Sequence, residues 1–326
     1  MLAAVPLPAA GIMPAMHLIV PFAGPLSEPG RAALRSLALP QLGALLAVLG
    51  AAERDDGDEW SFSPPHERAL ARAIGFAGSD GCLPWAARHA AADGLAPGDL
   101  AWGQLTPVHW HLGTDQVSLL DPALLVLDDT GSRALFDVVR PLFTSEGFSM
   151  SYGSAQRWYV AHENLSTLRT ASLDRVIGRN VDLWLHDDAA APAMRLLRRL
   201  QNEVQMLLYT HPINERREAQ GLLPVNSFWL SGCGVAQRAS GPAPALDNRL
   251  RGPALAEDWA AWCQAWDTLD EGPLAEMADA AARGQMVTLT LCGERSSVTL
   301  QPGGGAWRRL WSRLQRPLPA TLLETL

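Results

Sequence analysis

Residues 202–234 carry the sequence NEVQMLLYTHPINERREAQGLLPVNSFWLSGCG. The first part completes a segment, residues 192–209, in which apolar side chains recur at helical spacing, and Pro212 marks the end of that pattern. The apolar positions are Met194, Leu197, Leu200, Val204, Leu207 and Leu208. The run VNSFWL, residues 225–230, is typical of a short strand and leads into a glycine-rich turn at residues 232–234. A long amphipathic helix followed by a strand fits an α/β fold.

The segments on either side continue this alternation of strands and helices. We predict strands or hairpins at residues 16–23, 106–119, 152–160 and 287–301, and helices at residues 30–49, 64–74, 132–143 and 307–314. Pro40 interrupts the first helix, and Ser63 is the expected cap of the second. The acidic run ERDDGDE, residues 53–59, is expected to be a solvated loop. The fold class predicted is therefore α/β, a mixed sheet flanked by helices.

The composition limits the classes of function. The chain has 326 residues, 48% of them hydrophobic, so it is long enough to bury a sizeable core. Its net charge of −8 disfavours nucleic acid and anionic membranes as partners. All 26 basic side chains are arginines, which excludes a Schiff-base lysine and a Walker-type phosphate loop. Anion recognition must then use arginines or backbone amides.

The cysteines and the termini indicate a location. Cys82, Cys233, Cys263 and Cys292 are widely spaced and form no CxxC pair, so we expect neither a zinc ribbon nor a disulfide framework. No segment has the length and apolar character of a membrane span or the basic start of a signal peptide. Residues 1–15 are expected to be a disordered extension. The sequence thus predicts a cytoplasmic protein.

The segment quoted first also carries a family resemblance. It resembles the archaeal-type cofactor-independent phosphoglycerate mutases, which share the pattern His-Pro-x-Asn-x-x-Arg, a glycine, Pro-x-Asn-x-x-Trp and a glycine turn. The matching positions here are His211, Pro212, Asn214, Arg217, Gly221, Pro224, Asn226, Trp229, Gly232 and Gly234. Weaker similarity occurs at residues 97–102, 156–158 and 172–174. The resemblance implies a reduced architecture of the alkaline-phosphatase and phosphoglycerate-mutase kind.

It also implies a domain organisation. Residues 80–235 are similar to the region that handles substrate in those mutases, and residues 16–79 with 236–326 would form the core α/β region. A wider bacterial group is similar to this chain in its tryptophan-rich C-terminal part. Its members are labelled either phosphoglycerate mutase or regulatory protein of the RpfE type.

The chain departs from the family at its metal site. Members hold two divalent metals that clamp the transferred phosphoryl group. Their first strand is followed by an Asp-Gly pair, whereas residues 24–27 here are Gly-Pro-Leu-Ser, and no histidine follows His211. Leu173 stands where the family has a histidine, and Gly103-Gln104-Leu105 where it has an arginine and a nearby asparagine. These departures predict a pseudoenzyme without a cofactor.

Two functions remain open from the sequence. The first is a mutase-like protein, catalytically inactive, that binds a small phosphorylated metabolite or a regulatory protein partner. The alternative is a metal-dependent phosphate-ester enzyme, a phosphomutase or phosphatase, with a non-standard site. His109 and His111 lie on one side of a predicted strand and would bind a metal with Asp115, and Asp121 is a further candidate.

The expected ligand site follows the resemblance. We predict that one polar pocket is lined by Asn214, Arg217, Asn226, Arg157, Asp174 and His211. The guanidinium group suits a phosphate because it forms paired, charge-assisted hydrogen bonds. The alternative is that Asn214 and Asn226 brace a loop and Arg217 is a surface charge. We also predict that five tryptophans, Trp259, Trp262, Trp266, Trp307 and Trp311, belong to the core, although the basic helix bearing the last two could instead bind a partner.

Overall fold

A computed structural model describes residues 16–185, 192–302 and 318–326. The chain divides into two compact units. The first unit comprises Met1–Asp56 and Pro244–Leu326, and the second is Gly57–Ala243. Residues 57–79 therefore belong to the second unit and not to the core region in which the sequence placed them. Their backbone forms hydrogen bonds with loops of the second unit, as described below. The predictions for residues 1–15 and for Trp307 and Trp311 lie outside the described residues.

The strands of the described residues are β1 (Met16–Val20), β2 (Leu49–Asp55), β3 (Ala101–Val108), β4 (Trp110–Leu112), β5 (Val117–Leu119), β6 (Ser149–Ser154), β7 (Arg157–Ala161), β8 (Ser227–Val235), β9 (Ala245–Leu246), β10 (Val287–Cys292) and β11 (Ser297–Pro302). The α-helices are α1 (Glu28–Ser36), α2 (Pro40–Val48), α3 (Pro65–Ile74), α4 (Trp85–Ala92), α5 (Asp129–Thr144), α6 (Leu173–Val176), α7 (Asp182–Leu185), α8 (Pro192–Tyr209), α9 (Pro212–Ala219), α10 (Arg251–Leu255), α11 (Trp259–Leu269), α12 (Ala275–Ala282) and α13 (Pro319–Leu323).

The first unit is built on a five-stranded mixed sheet in the order β2-β11-β10-β1-β9. β1 pairs in parallel with β10 and β9, whereas β10, β11 and β2 pair antiparallel. The parallel strand β1 is buried from Leu18 to Val20, as expected for a strand in the middle of a sheet. A mixed sheet with helices is the fold class that the sequence predicts, and it is confirmed.

The core of this unit includes the tryptophan stripe of α11. Trp262 and Trp266 are fully buried, and Trp259 packs against the same cluster at its edge. The Nε1–H of Trp262 donates to the carbonyl of Phe22, 3.0 Å away. Residues three or four apart face the same side of a helix, so these tryptophans lie on one face of α11. The predicted core role is thus confirmed for Trp262 and Trp266, whereas Trp259 is only partly buried.

The second unit has a four-stranded antiparallel sheet in the order β6-β7-β3-β8, with β4 and β5 forming a separate hairpin. Side chains alternate between the two faces of each strand. One face carries Leu105 and Val160 into a core shared with α5 and α8. The other carries Trp102 and Tyr159 against the alanines of α4. Next to α4, this second face forms part of the cavity described below.

Several local predictions have definite outcomes. The helix at residues 192–209 is confirmed as α8, and the hairpin at residues 287–301 as β10 and β11. The loop predicted at residues 53–59 is wrong in its first half, because β2 pairs Glu53 and Arg54 with the neighbouring strand β11. The glycine turn after residue 230 is also wrong, since β8 continues to Val235. None of the described helices is long and apolar enough to cross a membrane.

Candidate functional site

A cavity of about 170 Å³ lies within the second unit, between α3, α4, β3, β8 and the segment that enters α6. Eight of its fourteen lining residues have polar side chains. The polar side chains that line it are Ser63, Glu67, His89, Gln104, Thr170, Ser172, Asp174 and Ser231. Apolar contacts come from Leu83, Trp85, Ala86 and Leu173. A concave site with converging polar groups is the usual form of a small-ligand site.

The loops that form this cavity are held by backbone hydrogen bonds. The carboxylate of Asp80 accepts from the N–H groups of Phe62 and Ser63, at 2.9 and 2.8 Å. The N–H of Thr170 donates to the carbonyl of Gly81, and the Ser63 hydroxyl accepts from the N–H of Gly81. Ser63 therefore does not cap α3 as the sequence predicted. It joins the start of α3 to the loop before α4.

Glu67 projects from α3 into this cavity. Its Oε1 accepts a hydrogen bond from the Ser172 hydroxyl at 2.5 Å. Protein atoms surround the carboxyl, although the cavity leaves it some contact with water, and this loss of solvation raises the pKa of Glu67 to about 7. Nearby His66 and the bond to Ser172 oppose that rise in pKa without cancelling it. The carboxyl is thus able to take up or release a proton near neutral pH.

Asp174 stands beside Glu67 at the same end of the cavity. Its Oδ2 lies 3.3 Å from the Nε2 of His66, and both side chains are largely buried. The next residue, Arg175, is buried and donates to the carbonyl of Asp58 at 3.2 Å. We call Glu67 and Asp174 together the acidic end of the cavity.

His89 and Gln104 occupy another part of the wall. The Nδ1 of His89 lies 2.9 Å from the Oε1 of Gln104, whose Nε2 donates to the Thr106 hydroxyl at 3.2 Å. Because the amide oxygen accepts, His89 carries its proton on Nδ1 and keeps a lone pair on Nε2. The imidazole reaches water, yet the cavity walls desolvate it and lower the pKa of His89. It is therefore a neutral acceptor at neutral pH.

The amino end of α4 also lies at the cavity, at Trp85 and Ala86. The first hydrogen bond of this helix runs from the N–H of Arg88 to the carbonyl of Pro84, and Pro84 supplies no side-chain cap. The N–H groups of Ala86 and Ala87 therefore precede the helical hydrogen-bond ladder, where the helix dipole is positive. Gly232 packs against this turn with φ +64°, and a Cβ there would lie 2.9 Å from the Ala86 nitrogen.

Thr170 supplies a hydroxyl at this cavity. The residue is 7% exposed, and among the described atoms its Oγ1 has no hydrogen-bond partner of regular geometry. Its polar neighbour is the thiol of Cys233, a weak partner, and burial raises the pKa of that thiol to about 12. A thiol is a weaker hydrogen-bond partner than an oxygen, so this buried hydroxyl is only partly satisfied. The residue also lines the cavity.

Of the six predicted ligand residues, Asp174 lines this cavity. Asn214 is buried, and its side chain donates to the carbonyls of Leu208 and Val225 and accepts from the N–H of Val225. Arg217 donates to the carbonyls of Leu223 and Leu125, and burial lowers its pKa. These contacts brace the connection between α8 and β8.

The remaining three residues are also engaged in contacts within the protein. Asn226 forms two hydrogen bonds with the backbone of Trp110, at 2.7 and 2.9 Å. His211 caps α9 by accepting from the N–H of Ile213. Arg157 forms a two-pronged ion pair with Asp93. A common ligand pocket formed by the six residues stays a prediction.

The candidate metal residues do not assemble a donor set. The Nδ1–H of His109 donates to the carbonyl of Pro224 at 2.8 Å, whereas His111 and Asp115 are exposed on and beside the β4–β5 hairpin. Throughout the described residues, no group of three His, Cys, Asp or Glu side chains is placed to hold a metal ion. The described residues therefore do not fit the two-metal site that the family resemblance implies.

The sequence analysis did not identify Glu67, His89 or Thr170 as site residues. A signal was present for Glu67, because it shares a helical stripe with the buried residues Ala71 and Ile74. A charged residue in such a stripe points to a polar cavity or a buried partner. For Thr170 no comparable signal exists, since it lies in an irregular segment.

Comparisons with known proteins gave five similar chains of solved structures, two of which are described here. The cofactor-independent phosphoglycerate mutase from Thermoplasma acidophilum is 13% identical with a TM-score of 0.36, and the match covers 96% of this chain and 98% of that one. The PH0037 protein from Pyrococcus horikoshii is 12% identical with a TM-score of 0.43, and the match covers 89% of this chain and 88% of that one. No family model matches the chain, and no curated protein matches it significantly.

Proposed function

We propose that the second unit binds a small phosphorylated metabolite in this cavity. The observation that carries the proposal is that the amino end of α4 and the Thr170 side chain, whose hydroxyl has only the Cys233 thiol as a weak partner, meet at one small cavity. A phosphate oxygen would accept from the N–H group of Ala86 and from the Thr170 hydroxyl once its side chain turns from the Cys233 thiol toward the ligand. Glu67 does not oppose an anion strongly, because its raised pKa keeps it partly neutral near pH 7.

The size of the cavity supports a small ligand. Its volume of about 170 Å³ is well below that of drug-sized sites, which are roughly 300–1,000 Å³. A phosphate group with a few carbon atoms fits this volume, whereas a nucleotide does not.

The test is isothermal titration calorimetry of the full chain with inorganic phosphate and ethyl phosphate. We expect saturable binding to the wild type and an affinity lower by about tenfold or more in Thr170→Val, since a hydrogen bond to a charged group is lost. The control is Thr144→Val, an exposed threonine on α5 that keeps wild-type affinity. If neither phosphate compound binds to the wild type, the proposal fails.

We further propose that the protein has no phosphoglycerate mutase activity. What supports this is the sequence after β1, where Gly24-Pro25-Leu26-Ser27 offers no aspartate. A coupled assay with added Mn²⁺ tests this proposal. Turnover in the ordinary enzyme range of about 1–10³ per second would contradict it. The alternative, a metal-dependent phosphate-ester enzyme, is tested under the same conditions with a general phosphatase substrate.

A protein partner is the second candidate, and one surface of the second unit supports it. A groove between the β4–β5 hairpin and the end of α8 is lined by Trp110, Leu112 and Tyr209. Leu112 is 76% and Tyr209 84% exposed, which is unusual for large side chains that share one groove. We expect the protein partner to be retained by the wild type and lost by the double variant Leu112→Ser and Tyr209→Ser. Retention by both proteins would argue against this surface.

A cytoplasmic location is part of the proposal. The four cysteines, all within the described residues, form no disulfide, which is usual in a reducing compartment.

A further inference from the structure

Ser172, next to the acidic end of the cavity, has an unusual hydrogen bond for a residue that begins a helix. A serine in this position commonly accepts from the backbone of its own helix. Ser172 precedes α6, yet its side chain forms no capping hydrogen bond. Its Oγ instead donates to the Oε1 of Glu67 at 2.5 Å, and both residues line the cavity. The cavity wall thus holds a hydroxyl paired with a carboxyl group.

This pair has the parts of an activated nucleophile. A serine hydroxyl attacks a carbonyl carbon when a neighbouring base takes its proton. Glu67 is placed to be that base, because its oxygen already accepts the hydrogen bond. Reduced hydration raises the pKa of Glu67 to about 7, so this carboxylate is a stronger base than an exposed glutamate and still forms at neutral pH. The N–H of Ala86, at the amino end of α4, is the donor that the same cavity offers to a developing oxyanion.

Charged and titratable side chains from three helices surround this base. His66 on α3 and Arg175 on α6 favour the carboxylate of Glu67 and lower its pKa, whereas Asp174 on α6 raises that pKa. Asp174 pairs with His66 at 3.3 Å, so its charge is already engaged within the protein. His89 on α4 lines the same cavity, and burial lowers its pKa. The loss of hydration at Glu67 outweighs these neighbours, so its pKa stays raised.

We propose that this cavity hydrolyses short-chain carboxylic esters, with Ser172 as the nucleophile and Glu67 as its general base. The Oγ of Ser172 bonds to the carbonyl carbon while Glu67 takes the hydroxyl proton. The ester C–O bond then breaks, the alcohol leaves with the proton from Glu67, and an acyl-serine remains. Water attacks this acyl group and gives a proton to Glu67. The acid is released as that proton returns to the serine oxygen.

The cavity limits the substrate. Its volume of about 170 Å³ admits an acyl group of a few carbon atoms. The reaction needs no phosphate group in the ligand, so this activity goes beyond the proposed function.

The test uses the full chain and p-nitrophenyl acetate. Release of p-nitrophenolate gives the rate, and mass spectrometry after an acid quench locates the acetyl group. We expect the acetyl group on Ser172 in the wild type, and the absence of lysine from the chain removes a common competing acceptor. In Ser172→Ala we expect neither this adduct nor turnover above the rate in solvent. Ser166→Ala, at an exposed serine of the same unit, is the matched control and keeps wild-type turnover.

The variant Glu67→Gln tests the base. We expect acylation of Ser172 to be about a hundredfold or more slower, because the amide cannot take the proton. The wild-type rate should fall as the pH falls through about 7, since Glu67 then takes up a proton, and this inflection should be absent from the variant. The same pH dependence in both proteins contradicts the assigned base.

Three results overturn the inference. They are an acetyl group found only on residues other than Ser172, undiminished turnover in folded Ser172→Ala, and neither adduct nor turnover with the acetate, propionate and butyrate esters. Should Ser172→Ala fail to fold, the position of the acetyl group in the wild type decides the question alone. Calorimetry with phosphate tests the proposed function separately, so the failure of one is distinguishable from the failure of the other.

Discussion

The carboxyl of Glu67 titrates near neutral pH because protein atoms surround it and reduce its hydration, which raises its pKa. Its ordinary value of 4.5 applies in the unfolded chain, and its pKa in the folded chain is about 7. The folded protein therefore binds more protons between these two values than the unfolded chain does. Stabilisation from this group is fully present below pH 4.5 and is lost as the pH rises through 7.

The variant Glu67→Gln tests this linkage, because the amide stays neutral at every pH and still accepts from Ser172. We expect the variant to gain stability over the wild type between pH 5 and pH 8, by on the order of 1–3 kcal/mol at the higher pH. Urea unfolding at the two pH values measures it. Glu163→Gln, on an exposed residue of the same unit, is the control. A difference that is independent of pH would contradict the buried titration.

Thr170 gives a second prediction at the scale of one residue. Valine has nearly the same shape and no hydroxyl, so Thr170→Val removes a buried donor that has no regular partner. We expect the free energy of unfolding without ligand to stay the same or rise by about 1 kcal/mol.

The matched control is Thr106→Val. Thr106 is 2% exposed, and its hydroxyl accepts from Gln104, so its loss leaves that amide unsatisfied. We expect this variant to lose about 1–2 kcal/mol. If Thr170→Val is destabilised as much as Thr106→Val, the Thr170 hydroxyl has a partner within the protein.

At the scale of elements, the alternation of β3 and β8 builds one wall of the cavity. Gln104 and Ser231 are directly paired across these strands and both line the cavity. The neighbours Leu105 and Leu230 are likewise paired and lie in the core on the other face. A single pair of strands thus supplies hydrophobic packing and polar site residues, since successive side chains point to opposite faces.

Gly232 sets how closely β8 approaches the amino end of α4. In Gly232→Ala the new Cβ would meet the Ala86 nitrogen at 2.9 Å, and the positive φ disfavours any side chain. We expect a loss of about 2–4 kcal/mol from these two effects together. Gly221→Ala is the control that separates the cost of the positive φ from that of the close contact. Gly221 has φ +73° and no atom within 4 Å of its Cβ position.

Gly221→Ala should lower the free energy of unfolding by only about 1 kcal/mol, the cost of a side chain at positive φ. Thermal or urea unfolding of both variants gives the comparison. Equal losses would mean that the close approach of β8 to α4 contributes nothing to stability.

For the whole molecule, each unit has its own hydrophobic core. Trp262 is fully buried in the first core among Leu34, Leu269 and other side chains. We expect Trp262→Ala to lower the free energy of unfolding of the first unit by about 3–5 kcal/mol. Trp60→Ala, at a tryptophan 54% exposed in the second unit, should have a much smaller effect. Similar losses for both variants, measured by urea unfolding, would contradict the core role of Trp262.

The sequence by itself determined the elements whose cause is local. The helix α8, the apolar strand β1 and the hairpin of β10 and β11 follow from periodicity, apolar runs and proline positions in neighbouring residues. The mixed α/β class follows from the alternation of such elements. The tryptophan stripe of α11 belongs here too, because its spacing alone gives one buried face.

Only the tertiary structure decided the rest. β2 is a strand because β11, more than 240 positions later in the sequence, supplies its hydrogen bonds, although its own residues favour a loop. The cavity is lined by residues of four separate segments, Glu67, His89, Thr170 and Ser231. No local sequence pattern predicts that they lie close together. The same holds for Arg217, which donates to the carbonyl of Leu125, 92 positions earlier in the sequence. Local propensity acts over a few residues, whereas burial and hydrogen-bond satisfaction are settled by whichever groups the folded chain brings together.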